Sequence, residues 1–216
     1  MPLFYQHSIN ESAKLGIWRI TEPEEFFLKS VPLQREITHP HKRLQHLAGR
    51  YLLQFLFDDF PYELIKIADT RKPFLLNEAY HFSISHCGDY AAAIVSNKHR
   101  VGIDIEIPTI RMNRIQHKFL SKGESGLLAE TGNAKHRAGD HTSVEILTVL
   151  WSAKEAVFKW FGNGGVDFSE DILIQSLPDP KMDQGEIPSI FMKITPTHLK
   201  LHYQIFEGLC LVWVIT

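Results

Sequence analysis

The sequence predicts an α+β fold of two similar lobes, each a small antiparallel sheet packed on a long helix. Two observations carry this expectation. A strongly amphipathic helix followed by a β-hairpin occurs once in each half of the chain, at residues 42–57 then 81–95, and again at 144–161 then 202–215. The 216 residues are 44% apolar and 22% charged, the balance of a globular protein able to bury a real core. A break near residue 100 gives an N-terminal lobe over 1–100 and a C-terminal lobe over 101–216, with the strand at the break facing the seam where ligands tend to bind.

The first helix is placed by Leu44, Leu47, Ala48, Tyr51, Leu52, Phe55 and Leu56, which recur at the three-and-four spacing of a buried face. Arg43 and Arg50 lie seven apart on its flank, either as a phosphate grip or as an ordinary exposed basic edge. Arg71-Lys72-Pro73-Phe74 follows, and then the first hairpin, His81 to Ser85, a turn through Gly88, and Tyr90 to Val95. His86 ends the leading strand, where a histidine can donate to an anion or simply be solvated.

The next strand is Val101-Gly102-Ile103-Asp104-Ile105-Glu106, closed by Pro108. Its alternation turns Val101, Ile103, Ile105 and Ile107 to a core and places Gly102, Asp104 and Glu106 on the opposite side. Like charges that close raise one another's pKa unless a cation joins them, and oxygen-only ligands favour magnesium, calcium or manganese over zinc. An acidic solvent face is the competing reading.

Beyond it, Arg111, Arg114, Lys118 and Lys122 recur at three, four and four, a basic stripe on one helix face suited to an acidic partner or to solvent. Residues 129–143 are small and polar and predict a mobile loop between two helices. In the second long helix, Ser152, Glu155 and Lys159 share a narrow polar arc while Lys154 falls inside the apolar arc, where a lysine must snorkel or find an anion. The second hairpin runs His202 to Phe206, a turn at Gly208, and Leu209 to Ile215.

Composition narrows the function classes. With 23 basic against 25 acidic residues and a net charge of -2, nothing global draws the chain to nucleic acid or membrane. Cys87 and Cys210 stand alone, with no zinc spacing, and the first ten residues lack the pattern of a signal peptide, so a reducing, cytoplasmic location is expected. There is no GxxxxGK[ST] or GxGxxG loop, so any phosphate grip must be assembled from scattered basic side chains.

Lys72-Pro73, Phe82-Ser83-Ile84-Ser85-His86, Val101 to Glu106, Phe119-Leu120-Ser121-Lys122-Gly123-Glu124 and Trp151-Ser152-Ala153-Lys154-Glu155-Ala156 occur in this order. Together they resemble the signature blocks of the 4'-phosphopantetheinyl transferases of the Sfp type, and Arg50 matches a position that family uses on coenzyme A. The resemblance covers most of the chain and thins after Gly165. It implies a single-chain pseudo-dimer, two lobes related by pseudo-two-fold symmetry with coenzyme A bound between them. The activity implied is transfer of the phosphopantetheine arm to a serine of an apo acyl or peptidyl carrier protein of fatty-acid, polyketide or nonribosomal peptide synthesis, releasing 3',5'-ADP.

By that pattern the N-terminal lobe contacts the phosphates and adenine of coenzyme A, and the C-terminal lobe supplies the metal carboxylates and docks the carrier. Asp104, Glu106 and Glu155 would hold Mg2+. Arg50, Lys72, Ser85 and His86 would contact phosphates, joined by Arg43 if the helix flank is a grip. Lys154 and Lys159 would lie along the pyrophosphate, with Lys159 also counted among the catalytic residues. Glu155 or Glu124 would take the serine proton, directly or through a metal-bound water. The carrier would dock on Arg111, Arg114, Lys118 and Lys122, and the enzyme would act as a monomer. Three positions depart from the pattern: Arg71 where glycine is frequent, Cys87 where a small hydroxyl residue is common, and Asn163 where lysine is frequent.

Overall fold

The computed structural model describes residues 2–33, 36–132 and 141–216. Two compact units result, Met1–Ile105 and Glu106–Thr216. The boundary falls inside the acidic strand rather than before it, so Asp104 belongs to the first unit and Glu106 to the second.

The first unit runs β1 (Leu3–Asn10), β2 (Ala13–Arg19), α1 (Glu24–Leu28), α2 (Pro40–Leu56), β3 (Ile65–Ile67), β4 (Pro73–Leu75), β5 (His81–Cys87), β6 (Tyr90–Ser96) and β7 (Val101–Glu106), the last ending in the second unit. Four strands form an antiparallel sheet in the order β1-β2-β6-β5, and β3 pairs with β4 in a separate hairpin. Helix α2 begins earlier than its apolar spacing predicts because Pro40 suits the first helical turn and the His39 side chain accepts from Lys42 N at 3.4 Å. It lies on β2, β5 and β6, burying Leu47, Leu52, Leu53 and Leu56 against Trp18, Ala93 and Val95. Each such leucine contributes about 1.5–3 kcal/mol. The turn between β5 and β6 is Gly88-Asp89, with Gly88 at φ 51°, a conformation glycine adopts without steric penalty.

The second unit continues with α3 (Arg111–Ile115), a 3₁₀ turn (Gln116–Lys118), α4 (Lys122–Gly132), α5 (Ser143–Phe161), β8 (Ile172–Ile174), β9 (Gln184–Phe191), β10 (Thr197–Phe206) and β11 (Leu209–Ile215). Strands β11, β10, β9 and β8 lie side by side in that order, antiparallel throughout. Helix α5 starts at a reciprocal Thr142/Glu145 capping box and stops at Gly162, whose φ of 76° is the left-handed conformation that closes helices. It packs on β11 and buries Val149, Leu150, Ala153, Ala156 and Val157. Gly185 pairs with Tyr203 across β9 and β10, and the tyrosine ring occupies the space a side chain there would need.

Both predicted long helices and both predicted hairpins are present, and each unit has a long helix packed on an antiparallel sheet. The basic stripe is different. Arg111 and Arg114 sit on α3, Lys118 in the 3₁₀ turn and Lys122 at the start of α4, so no single helix face carries them. The helix is interrupted because Phe119 and Leu120 turn into the core, 0% and 5% exposed. Ser121 then caps a new helix, accepting from Glu124 N at 3.2 Å while its own N–H donates to Glu124 Oε2 at 2.7 Å. Of the predicted loop over residues 129–143, the stretch to Gly132 belongs to α4 and residues 133–140 lie outside the described residues. Among the described residues no helix is long and apolar enough to cross a membrane.

Helix α2 and β5 approach closely at Gly49, where a β-carbon would stand 2.6 Å from Ile84 Cγ2. That methyl sits on a branched, stiff side chain. Gly49→Ala should therefore lower the unfolding free energy by about 1–2 kcal/mol, overpacking outweighing the helix-propensity gain of about 1 kcal/mol. Denaturant titration of both proteins measures it, and equal midpoints would mean the contact yields without strain.

Candidate functional site

Strand β7 is buried on both sides. Val101, Ile103 and Ile105 face the core as predicted, but Asp104 is only 3% exposed and Glu106 half-buried, which rules out an acidic solvent face. Two serines of β5, on the same side of that strand, meet it. Ser83 Oγ accepts from Ile103 N at 3.2 Å, and Ser85 Oγ donates to Asp104 Oδ1 at 2.7 Å. Ser85, 6% exposed and expected on a phosphate, thus orients a carboxylate. A hydroxyl donating to an ionised carboxylate is a strong hydrogen bond, and it fixes where the other lone pairs point.

In the second unit, Trp151 Nε1 on α5 donates to Glu106 Oε1 at 3.3 Å. Glu155 follows Trp151 by four residues and so lies on the same side of the helix, one turn on, with Lys159 a further turn along. Both are half-buried. The helix face that holds Glu106 is therefore the face that presents Glu155 and Lys159.

Lys154 and Glu124 have a task other than the one expected of them. Lys154 is 0% and Glu124 2% exposed, and Nζ lies 2.7 and 2.9 Å from the two carboxylate oxygens. The ammonium also donates to the carbonyls of Phe168, at 2.9 Å, and Ile172. Glu124 accepts from Ile174 N at 2.6 Å as well as from Ser121 N. A lysine has only three donors to give. Lys154 is thus committed inside the fold and does not lie along a pyrophosphate, and Glu124 is held as a buried anion rather than set out as a base. Burial pushes the Lys154 ammonium below the usual lysine range while Glu124 pulls it back. The lysine on the apolar arc did need an anion, and the protein itself supplies it.

Arg43 is also engaged internally. Its Nε lies 2.8 Å from both Glu24 oxygens, its Nη2 2.7 Å from Oε2, and its Nη1 donates to the Ile37 carbonyl at 2.9 Å. This favours a structural clasp between α1 and α2 over a paired grip with Arg50. Arg50 is 8% exposed, with Nη1 3.1 Å from His46 Nδ1. His86 is exposed at the end of β5, opposite Ala91. Lys72 is half-buried where β4 begins, and burial together with the nearby Arg100 guanidinium lowers its ammonium from 10.5 to about 8. His81 and His99 belong to the same basic neighbourhood. Neither Arg100 nor Trp151 was among the residues assigned from sequence. Arg100 directly precedes the acidic strand, and Trp151 lies one turn before Glu155, the spacing that could have pointed to it.

Carboxylate oxygens, which Asp104 offers in the first unit and Glu106 and Glu155 offer in the second, are of the kind that suits a hard divalent cation such as Mg2+. Among the described residues, no three His, Cys, Asp or Glu side chains stand together as a ready-made metal cage. Mg2+ held by carboxylates such as these would take ligands from its substrate as well.

Residues 100–209 match the model of the 4'-phosphopantetheinyl transferase superfamily. The chain belongs to that superfamily. Enterobactin synthase component D of Escherichia coli (strain K12) is 35% identical over 121 residues, 55% of this chain and 54% of that protein. A putative 4'-phosphopantetheinyl transferase of Haemophilus influenzae is 32% identical over 136 residues, 61% of this chain and 54% of its own length. The 4'-phosphopantetheinyl transferase AcpT of Escherichia coli (strain K12) is 28% identical over 132 residues, 60% and 64% of the two chains. The chain thus spans about half the length of the first curated relatives it matches. The matched stretch of this phosphopantetheinyl transferase superfamily member contains the whole of β7, α4 and α5, and with them Asp104, Glu106, Glu124 and Glu155.

Burial of the Lys72 ammonium ties its charge to stability. Between about pH 8 and 10.5 the unfolded chain binds a proton that the folded protein does not, so this lysine makes stability rise with pH across that window. Lys72→Met should be more stable than the parent below pH 8, and the difference should fade as pH rises to 10.5. Paired denaturant titrations across the window measure it, and a difference independent of pH would refute the assignment.

Proposed function

We propose that this protein transfers the 4'-phosphopantetheine arm of coenzyme A to a serine of an apo acyl or peptidyl carrier protein, releasing 3',5'-ADP with the help of Mg2+. The observation that carries the reading is β7, where Asp104 is buried and Glu106 half-buried, each oriented by a donor, Asp104 by Ser85 and Glu106 by Trp151. Carboxylates drawn partly or wholly out of water and set with such directional partners suit cation holding better than decoration. Superfamily membership and two relatives named as phosphopantetheinyl transferases support it. We also infer the Sfp-type subclass, supported by a long helix and an antiparallel sheet in each unit.

Asp104, Glu106 and Glu155 would hold the ion, which when bound offsets charge building on the phosphate. The carrier serine oxygen attacks the phosphorus attached to the pantetheine arm, and the bond from that phosphorus to the bridging oxygen of 3',5'-ADP breaks. The serine proton passes to a base, and Glu155 is the candidate once Glu124 is tied to Lys154. Lys159, one turn along α5 from Glu155, favours the anionic phosphate electrostatically. Arg50, Lys72 and His86 are the first unit's candidates for the remaining phosphates, since a polyanion needs several cations.

The decisive assay mixes protein, coenzyme A, Mg2+ and a panel of apo carriers, then weighs each carrier. A mass gain of one phosphopantetheine arm is expected, and no gain on any carrier would overturn the proposal. Release of 3',5'-ADP without carrier would identify a hydrolase instead, and tight coenzyme A binding without turnover a binding protein. Asp104→Ala and Glu155→Ala should each lower transfer roughly 100-fold or more while the thermal transition stays cooperative. Near-parental rates in either would remove that residue from the metal set.

Carrier docking on Arg111, Arg114 and Lys118 is supported by their exposure on one short stretch and by the acidic surface expected of carriers. Reversing charge at Arg114 and Lys118 together should raise the Michaelis constant for carrier and flatten its salt dependence, leaving kcat and the constant for coenzyme A in place. Unchanged carrier kinetics would return these side chains to solvent.

A further inference from the structure

We propose that Lys154 and Glu124 are positioning residues for Glu106, acting through the two aromatic walls that hold Trp151. A buried ion pair is an inefficient way to fill a core, since apolar residues of equal volume usually serve stability as well or better. What an apolar filler lacks is direction. Each partner here grips backbone in a segment that needs fixing.

Lys154 takes the carbonyl of Phe168, a residue lying between α5 and β8 in neither element. The Phe168 ring packs 5.7 Å from the ring of Trp151 and 5.7 Å from Phe158. Glu124 takes the N–H of Ser121, just past the point where Phe119 turns inward, and the Phe119 ring meets Trp151 edge-on at 5.3 Å. Among the described residues, the two rings against the indole thus stand at or beside backbone gripped by the pair, Phe168 on the carbonyl that Lys154 takes and Phe119 two residues before the amide that Glu124 takes. Trp151 in turn donates to Glu106 Oε1. Such a support can change the affinity of a site about tenfold without touching its ligand.

The relay is a property of the fold, and its service to a divalent ion rests on the transferase reading above. The test separates the two. In ¹⁵N-labelled protein the indole N–H resonance of Trp151 is identified by its loss in Trp151→Phe, the other three tryptophans serving as internal references. Glu106→Gln should shift that resonance. In the double variant Lys154→Met/Glu124→Leu, the shift that Glu106→Gln causes should collapse while the other indoles hold their positions.

A folded double variant in which Glu106→Gln still moves the Trp151 resonance in full would overturn the relay. Phe168→Leu removes one wall without touching the pair and should weaken the same coupling. It decides the matter if the double variant fails to fold, and full coupling in it would also overturn the relay. Binding of Mn2+ in the presence of coenzyme A, followed by electron paramagnetic resonance, provides the second arm. Trp151→Phe and Phe168→Leu should weaken Mn2+ binding about tenfold, with coenzyme A affinity in the absence of metal unchanged. Parental Mn2+ affinity in both, with the Trp151 resonance disturbed in Phe168→Leu, would overturn the relay's service to the ion. No Mn2+ binding by the parent protein would fell the transferase reading and leave the relay standing.

Discussion

Sealing a lysine and a glutamate together from water is the constraint on which the second unit is organised. The desolvation cost of each ion is several kcal/mol, and it is offset only when the remaining donors and acceptors are filled as well as the charges paired. Here they are filled from four places: the Ser121 cap of α4, the middle of α5, the segment at Phe168 and the strand β8. None of the four can shift by a residue without orphaning a buried charge, so the register of α5 is set with a precision that leucine packing alone would not impose. Glu155, the next residue along, inherits that precision.

In the first unit, close approach does the equivalent work. Helix α2 can lie against β5 because Gly49 offers no side chain to Ile84, and the opposite side of β5 then turns Ser83 and Ser85 toward β7. A core contact between helix and sheet thus determines where a hydroxyl meets Asp104.

What the sequence made legible was the part governed by local periodicity. The helical spacing of Leu47 to Leu56 and the glycine turns at Gly88 and Gly208 are signals contained within a few residues. Strands β2 and β9 were missed although Ala13, Leu15 and Ile17, or Ile187 and Phe191, alternate into the core, because both runs are broken by lysine, glycine, proline or serine. The basic stripe failed for the opposite reason. Its spacing was helical, but Phe119 and Leu120 had to be buried, and tertiary burial overrode the pattern. The fates of Lys154 and Glu124 are not local at all, since 30 residues separate them.

Arginines and lysines that look alike in sequence therefore separate by what surrounds them. Arg43 is clasped by Glu24 and Lys154 by Glu124, their donors directed inward. Lys72 is half-buried beside Arg100, and burial first and the guanidinium second disfavour its charge. The turn that presents it is itself strained. Arg71 sits at φ 67°, where glycine would be free of steric penalty, and two backbone hydrogen bonds, Arg71 N to Ala68 O at 2.8 Å and Ala68 N to Lys72 O at 2.9 Å, hold it there. Such strain amounts to about 1–3 kcal/mol. A lysine whose charge is disfavoured, carried on a turn whose backbone is strained, is poorly explained as a contributor to stability. Both penalties become intelligible if the position is kept for an anion, which would raise the ammonium back toward its ordinary range.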